Sequence, residues 1–322
     1  MPHKYLHTIT GIVLLLLSSC VKEDFSCCPT EITITYHLSE FTPQDGFSLR
    51  AAPTGPPYAT TEENTIENLY LFLFPKVQGQ IFKKYYLSSP ISSGEGFEGT
   101  LQIQNLAGNI ALSLSPERAG LRDVYLVANC DTDLKAALDA VETVDALKAV
   151  MRTNSAPWTM TTPLLMSGES LNYDFAVTPT LNEITLTRAV AKIQIDIALD
   201  NVAHRSSVIS DYGYKYLNFG KNTYAIKNVG DQPNSVSQME WQTTGISVEE
   251  VSGKVESFTL TTYINEYDDD ATQTPVATVQ FKFPYYPLSG MPPPEFGDDI
   301  YTIQLPTAVM RNRFYYYNVN VK

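Results

Sequence analysis

The sequence predicts an all-β protein with one inserted helix, arranged as β-sandwiches. Several runs alternate apolar and polar residues with the period of a strand, and clusters of turn-forming residues separate them. Tyr, which favours strands, occurs 20 times among 322 residues. Short strands between turn residues are typical of sandwiches rather than of βαβ units. A chain of this length predicts about two domains at typical domain size.

The N-terminus carries the features of a secretory signal peptide over residues 1–19. The apolar run at residues 11–17 is too short for a bilayer-spanning helix, which needs about 20 residues. The run ends in LSSC, which resembles a bacterial lipobox. This resemblance predicts cleavage between Ser19 and Cys20 and acylation of Cys20, and more than one acyl chain gives a stable membrane anchor.

The residues after the lipobox are predicted to form a lipid-anchored tether over 20–31. Lys22, Glu23 and Asp24 resemble the export signal of Bacteroidetes surface lipoproteins, which reach the outer face of the outer membrane. The alternative is a solvated acidic tether without a sorting role. The resemblance predicts a surface-exposed lipoprotein of the outer membrane.

The charge balance argues against nucleic acid as a partner. The chain has 35 acidic residues against 22 Lys and Arg, and its net charge is −13. Nucleic acid binding needs a clustered basic face instead. Besides Cys20 the chain has Cys27, Cys28 and Cys130, and a single bridge from the adjacent pair to Cys130 would be compatible with an oxidising compartment.

Strands are predicted throughout the region that follows the tether. A half-buried strand is predicted in EITITYHLSE, and its apolar face carries Ile32, Ile34, Tyr36 and Leu38. A linker rich in Pro and Gly follows at residues 50–64. Further strands are predicted in IENLYLFLF, which reads as buried on both sides, and then in FEGTLQIQNL and RDVYLVANC.

One helix is predicted, mainly over residues 132–151. Leu134 and Leu138 begin a helical repeat of apolar residues, and Asp131 or Asp133 can cap its start. Strands resume after it in ITLTRAVAKIQIDIAL, whose apolar face carries Ile193, Ile195, Ile197 and Leu199.

No catalytic, cofactor-binding or metal site is predicted. The sequence has no Gly-rich phosphate loop, nucleophile elbow or metal-ligand spacing. Asp268, Asp269 and Asp270 lack the spaced oxygen ligands of a calcium loop, so a solvated turn is the better interpretation. Ser167 in MSGES has no basic partner placed by a motif. The chain is therefore predicted not to be an enzyme and to need no cofactor.

Four segments resemble, in order, recurrent segments of the Bacteroidales fimbrillin superfamily. They are VYLVAN (124–129), PLLMSGE (163–169), LTRAVAKIQIDI (186–197) and MRNRFYYYNVNVK (310–322). Members are lipoprotein precursors of type V pili, with their anchor and tip subunits. The resemblance implies two tandem transthyretin-like β-sandwich domains, 32–186 and 187–322, with the boundary near Thr187. It also implies other fimbrial subunits as partners and a location in the fimbrium.

The resemblance assigns a role to Arg50, the only Lys or Arg between Lys22 and Lys76. In this family an Arg-specific protease cuts the linker after the first strand, which implies cleavage between Arg50 and Ala51. The first strand would then be displaced, and its groove would accept the C-terminal strand of the next subunit. The donor residues of this chain would be Tyr315, Tyr317, Val319 and Val321, which share one face.

Two other roles remain open. CVKEDFSCCPTEITITY resembles the anchor-type branch of the superfamily, whose members keep their lipid and first strand and end the pilus at the membrane. A glycan-binding surface lipoprotein is an alternative of another class, because Tyr-rich stretches can stack on sugar rings. The sequence does not distinguish a shaft, tip or anchor role.

Overall fold

The computed structural model describes the greater part of the chain and confirms the predicted all-β class. The described residues are 31–44, 58–88, 99–104, 106–153, 157–227, 235–236, 240–268, 276–286 and 298–322. Their strands are, in chain order, β1 (Ile32–Leu38), β2 (Thr42–Pro43), β3 (Asn68–Pro75), β4 (Lys83–Ser88), β5 (Gly99–Gln104), β6 (Ala107–Leu112), β7 (Leu121–Ala128), β8 (Met151–Thr153), β9 (Met166–Asp174), β10 (Thr180–Arg188), β11 (Val190–Leu199), β12 (Gly213–Leu217), β13 (Phe219–Gly220), β14 (Asn222–Tyr224), β15 (Ser235–Val236), β16 (Ile246–Val251), β17 (Lys254–Asn265), β18 (Tyr267–Asp268), β19 (Thr278–Phe283), β20 (Asp299–Gln304), β21 (Ala308–Val309) and β22 (Arg313–Val321). The α-helices are α1 (Pro116–Ala119), α2 (Thr132–Asp139) and α3 (Val144–Ala149).

The first half of the chain folds into a sandwich. Its strands are hydrogen-bonded in the order β4-β3-β7-β9-β10-β1-β6-β5. β10 pairs along its length with β1, while its last two residues, Thr187 and Arg188, pair with β9. The strands therefore form two layers that share β10, one with β4, β3, β7 and β9 and the other with β1, β6 and β5. A buried core lies between them and includes Ile34 of β1, Leu71 of β3 and Leu126 of β7.

β3 is buried on both of its faces, as predicted for IENLYLFLF. Because side chains alternate along a strand, Leu69 and Leu71 enter the core between the layers, whereas Tyr70 and Phe72 point to the opposite side. There they pack in a second cluster that also includes Leu134 of α2. The helical region thus covers one outer face of the first sandwich.

The prediction of one inserted helix is wrong in detail, because that region contains two helices. Asp131 caps α2 by accepting a hydrogen bond from the Leu134 amide at 2.8 Å, as predicted. Thr143 starts α3 by accepting one from the Ala146 amide at 3.1 Å. Between them the Lys84 ammonium, from β4, donates to the carbonyls of Leu138 and Val141, which satisfies carbonyls at the end of α2. The short helix α1 was not predicted at all.

The second half of the chain forms another sandwich. One layer has the order β16-β17-β11-β22-β2 and the other has the order β12-β19-β20. The core between them includes Ile195 of β11, Tyr214 of β12 and Phe281 of β19. The predicted apolar face of β11 is confirmed, since its four residues are each at most 1% exposed.

The chain passes from the first sandwich to the second at Ala189, between β10 and β11. This point lies close to the predicted boundary at Thr187. Among the described strands, two pairings cross this point: β2 joins the second sandwich through β22, and β8 pairs with β14. The division into domains 32–186 and 187–322 stays a prediction.

Cys130 is a free thiol in this structure, and Cys27 and Cys28 lie outside the described residues. The side chain of Cys130 is buried in the cluster beneath α2, and its Sγ donates to the carbonyl of Val127. Burial raises the pKa of this thiol to about 12. The neutral thiol is therefore the form that the fold retains at neutral pH.

We expect iodoacetamide to label Cys130 more than about a hundredfold more slowly in the native chain than in denaturant, because the thiolate is the reactive form. The raised pKa means that the native rate keeps rising to about pH 12, whereas the unfolded rate levels off above the ordinary value of 9.0. Peptide mapping by mass spectrometry measures both rates. Equal native and unfolded rates would contradict the burial of this thiol.

Among the described residues, no helix has the length and apolar character needed to cross a membrane. Within the same residues, no group of three or more His, Cys, Asp or Glu side chains is placed to hold a metal ion. Of the acidic run, Asp268 lies in β18, which pairs with β21. Asp269 and Asp270 lie outside the described residues.

Candidate functional site

β1 is the strand that the sequence predicts to be displaced, and it lies between two neighbours. It pairs in parallel with β10 and antiparallel with β6. Its inward residues are almost fully buried, with exposures of 0, 0, 1 and 7% for Ile32, Ile34, Tyr36 and Leu38. Removal of β1 would therefore leave an apolar groove with a hydrogen-bonding strand edge on each side.

One inward residue of β1, Tyr36, packs over a glycine of the neighbouring strand. Tyr36 lies directly opposite Gly108 of β6. A Cβ atom built on Gly108 would lie 2.2 Å from the Cζ atom of the Tyr36 ring, so only glycine leaves room for this ring. The buried Tyr36 hydroxyl has no hydrogen-bond partner in the described structure, and burial raises its pKa to about 12.

The residues after β1 cross to the second sandwich. β2 pairs in parallel with the start of β22. The amide of Thr42 donates to the carbonyl of Asn312, and the amide of Gln44 donates to that of Phe314, each at 3.0 Å. Phe41, just before β2, is 1% exposed. The described residues upstream of Arg50 are thus held by both sandwiches, β1 in the first and β2 in the second.

Arg188, at the end of β10, joins these elements and is 1% exposed. Its guanidinium donates to the carbonyl of Ser39 at 2.7 Å and to that of Glu63 at 3.1 Å. It also donates to the side-chain oxygen of Asn312 at 3.0 Å and lies 4.4 Å above the ring of Phe41. Burial lowers the pKa of this guanidinium. Buried charges need such partners, since an unpaired one is costly.

Asn312 completes the contact from the side of β22. Its amide nitrogen donates to the hydroxyl of Ser39 at 2.7 Å and to the carbonyl of Glu40 at 2.8 Å. We call this region the polar junction. It is made of residues 39–44, 58–64, Arg188, Lys192, Asn312 and Phe314.

The downstream end of the predicted linker also reaches the polar junction. The Lys192 ammonium donates to the carbonyl of Tyr58 at 3.0 Å and pairs with the buried carboxylate of Glu63 at 2.9 Å. The ring of Tyr58 lies 5.4 Å from that of Phe314. Gln44 and Tyr58 flank residues 45–57, and both contact Phe314. The two described residues on either side of 45–57 therefore both lie beside the start of β22.

β22 carries the predicted donor residues, and its inward face is in use within its own sandwich. It pairs in parallel with β11 on one side and with β2 on the other. Tyr315, Tyr317 and Val321 are 1, 7 and 1% exposed, and Val319 packs half-buried against the same core. The shared face of these residues is found as expected. Their role as donors stays a prediction.

Four of the predicted site residues lie outside the described part of the chain. They are Ser19 and Cys20 at the signal-peptide cleavage site, and Arg50 and Ala51 at the maturation site. Their roles stay predictions.

Arg188 and Arg311 are buried, and no role was predicted for either of them from the sequence. Arg311 pairs with Glu266, to which its Nε donates at 2.9 Å. Its guanidinium also donates to the hydroxyl of Ser167 at 3.4 Å, so this serine has a structural contact. The available signal was a charged residue within an apolar stretch, as in LTRAVAKI. Such residues, when buried, are held by hydrogen bonds or ion pairs.

Two β-sandwiches, the first holding β1 between β6 and β10 and the second holding β22 between β11 and β2, are the fold of this chain, and two family models place it in the class of fimbrial subunits. Residues 47–200 match the family model of the major fimbrial subunit protein (FimA). Residues 189–320 match that of the minor fimbrium tip subunit MfA4, C-terminal.

A relative of matching length identifies the family within this class. Over 349 aligned residues the chain is 31% identical to the minor fimbrium tip subunit MfA4 of Porphyromonas gingivalis, with 99% of each chain covered. The chain belongs to the family of this tip subunit. The predicted superfamily is thereby confirmed, as is the prediction that the chain is no enzyme, since its relatives are structural fimbrial subunits.

Solved structures support the same fold. The tip fimbrial protein Mfa3 of Porphyromonas gingivalis, with a C-terminal truncation, superposes with a TM-score of 0.52 at 13% identity, covering 89% of this chain and 94% of that one. A candidate cell adhesion protein from Parabacteroides distasonis gives a TM-score of 0.54 at 15% identity, covering 90% of each. At these identities the likeness concerns the fold alone. Family membership places the chain in fimbriae at the cell surface, with other fimbrial subunits as partners.

Proposed function

We propose that this protein is a tip-type fimbrial subunit that is exported as a lipoprotein, cut after Arg50 and joined to its neighbour by strand exchange. The tip role is proposed from the identity with the MfA4 tip subunit over both full lengths. The exchange is proposed from the position of β1 between β6 and β10, upstream of the linker with Arg50. An Arg-specific protease, other fimbrial subunits and the outer membrane are the implied partners.

Lipid anchoring at Cys20 would hold the precursor at the outer membrane until maturation. We expect Cys20→Ala to move the protein from the detergent phase to the aqueous phase, or to leave an uncleaved precursor, because the thiol is the acylation site. Phase partitioning and intact mass measure this. Cys130→Ala is the matched control and should partition like the wild type. Unchanged detergent partitioning of Cys20→Ala would exclude this site of acylation.

The loss of β1 has a large free-energy cost for the first sandwich. Burial of an aliphatic or aromatic side chain stabilises by about 1.5–3 kcal/mol, so its four inward residues contribute about 6–12 kcal/mol. A whole domain is stable by about 5–15 kcal/mol. An empty groove would therefore not persist, and its two strand edges would recruit another strand.

In that groove, β22 of another subunit would regain the burial free energy that it loses on leaving its own second sandwich. Its inward residues are buried in the second sandwich, so withdrawal costs an amount similar to that gained on insertion. The exchange itself is then close to neutral in free energy, and the role of cleavage is to remove β1 as a competitor for the groove. Adhesion through the fimbrium would then depend on subunits joined in this way.

Intact mass and N-terminal sequencing of the protein recovered from fimbriae test the proposal. The expected N-terminus is Ala51 in the fimbrial fraction and Cys20 in the membrane-bound precursor. If the protein in fimbriae begins at Cys20 with the bond after Arg50 intact, the processed-subunit role fails, and the anchor role takes its place.

A further inference from the structure

The floor of the β1 site differs at one position from the rest of the groove. Ile110 and Leu112 of β6, which lie opposite Ile34 and Ile32, carry full side chains and are at most 1% exposed. Gly108 carries none, and the ring of Tyr36 fills the space above it. We call this space the Gly108 slot. A strand without a large ring at this point would leave a cavity there, and cavities in cores destabilise.

We infer that the Gly108 slot selects the strand that replaces β1, and that it takes Tyr317 from the C-terminal strand of a second copy, inserted in the direction opposite to β1. This inference rests on the proposed strand exchange and adds to it the register and the orientation. The ring is the selected feature, since the hydroxyl of Tyr36 makes no hydrogen bond in the described structure.

The order of side chains supports the reversed direction. The groove sites read Ile32, Ile34, Tyr36 and Leu38. Read from C to N, the inward face of β22 presents Val321, Val319, Tyr317 and Tyr315. In this direction β-branched residues meet β-branched sites, and a tyrosine meets the tyrosine site. The last tyrosine meets the site of Leu38, the most exposed of the four at 7%.

An inserted β22 that runs in the same direction as β1 fits poorly in both registers that fill all four inward sites. If Tyr317 lies over Gly108, Arg313 takes the site of Ile32, which is 0% exposed, and a buried unpaired charge is costly. If Tyr315 takes the site of Ile32 instead, Val319 lies over Gly108 and leaves a cavity there. The inserted strand would therefore run antiparallel to β10 and parallel to β6, the reverse of the pairing of β1.

The first arm of the test uses the intact chain and asks whether the slot exists. Gly108→Ala is expected to lower the melting temperature by roughly 5–10 °C. In a Tyr36→Ala background the same substitution should have little effect, because the ring is gone. Gly220→Ala is the matched control, since a Cβ there has ordinary contacts of 3.8 Å or more. An equal drop in melting temperature in the wild-type and Tyr36→Ala backgrounds would contradict the existence of the Gly108 slot.

The second arm uses the chain cut after Arg50, with labelled peptides of residues 313–322 offered in excess. The wild-type and Tyr317→Phe peptides should bind alike, whereas Tyr317→Val should bind at least tenfold more weakly. Tyr315→Val, the control, should lose less. If no peptide binds, strand exchange itself fails. If all bind equally, strand exchange stands and selection by the slot is overturned.

Cross-linking reports the direction of insertion. In the reversed register, residue 320 takes the place of Thr33, which pairs with Ala111. An Asn320→Cys peptide should therefore form a disulfide with an Ala111→Cys chain and not with an Ala107→Cys chain. Cross-linking to position 107 instead, where the partner of His37 lies, would overturn the reversed direction.

Discussion

Replacement of Arg50 by alanine is expected to leave a stable, lipid-bound monomer that never enters a fimbria. Arg50 is the only Lys or Arg between Lys22 and Lys76, so an Arg-specific protease has no second site in that stretch. Without the cut, β1 stays covalently tied to the rest of the chain and its site stays filled. The measurement is the fraction of surface protein found in polymers, with the intact mass of the remainder.

Arg118→Ala is the matched control for Arg50→Ala, because Arg118 is an exposed arginine downstream of the linker. It should be processed and assembled like the wild type. Arg50→Lys separates recognition of arginine from recognition of any positive charge, and we expect it to remain uncut. Polymer formation by Arg50→Ala at the wild-type level would show that assembly does not require this cut.

Replacement of Arg188 by methionine is expected to lower the free energy of unfolding by about 3–5 kcal/mol, the range for breaking a buried charged network. Methionine keeps much of the volume of the side chain but leaves the carbonyls of Ser39 and Glu63 without their donor. It also leaves the side-chain oxygen of Asn312 with only the longer hydrogen bond from the backbone amide of residue 188. Denaturant unfolding measures the change. We also expect faster proteolytic loss of the N-terminal segment, since the polar junction holds residues 39–44.

Arg118→Met controls for the loss of a charge at the surface and should change the free energy of unfolding by no more than about 0.5 kcal/mol. Two equal and small effects would mean that the hydrogen bonds of Arg188 contribute little beyond what water supplies. A large effect on unfolding without faster loss of the N-terminal segment would place the role of Arg188 within the first sandwich alone.

Strands with a strict period of two were predictable because that pattern is local. Ile32–Leu38 and Val190–Leu199 lie where the alternation places them, and their inward faces are buried. The helical region was less predictable, because the carbonyls at the break after α2 are satisfied by Lys84, a residue of the distant strand β4. Nothing in the local sequence shows that contact.

The candidate site was predictable only in its strands. The alternation of Tyr315, Tyr317 and Val321 indicates a shared face, but not that this face already lies in a core of its own chain. The polar junction joins Ser39, Arg188 and Asn312, which are far apart in sequence, and no local period marks such contacts. The short strand β2 has two residues and owes its existence to β22, so a propensity argument had nothing to find there.

The pairing of β2 with β22 sets the order of two steps in assembly, the loss of the N-terminal segment and the release of β22. Free-energy coupling between two sites is reciprocal, so the ends of the chain stabilise each other while both are in place. When the N-terminal segment departs, β22 loses the hydrogen bonds from Thr42 and Gln44 and becomes an outer strand of its sheet. In the uncut precursor, β22 would thus be held in its own sheet by β2. Loss of the N-terminal segment would free β22 for donation in the same step that opens the site of β1 to the strand of another subunit.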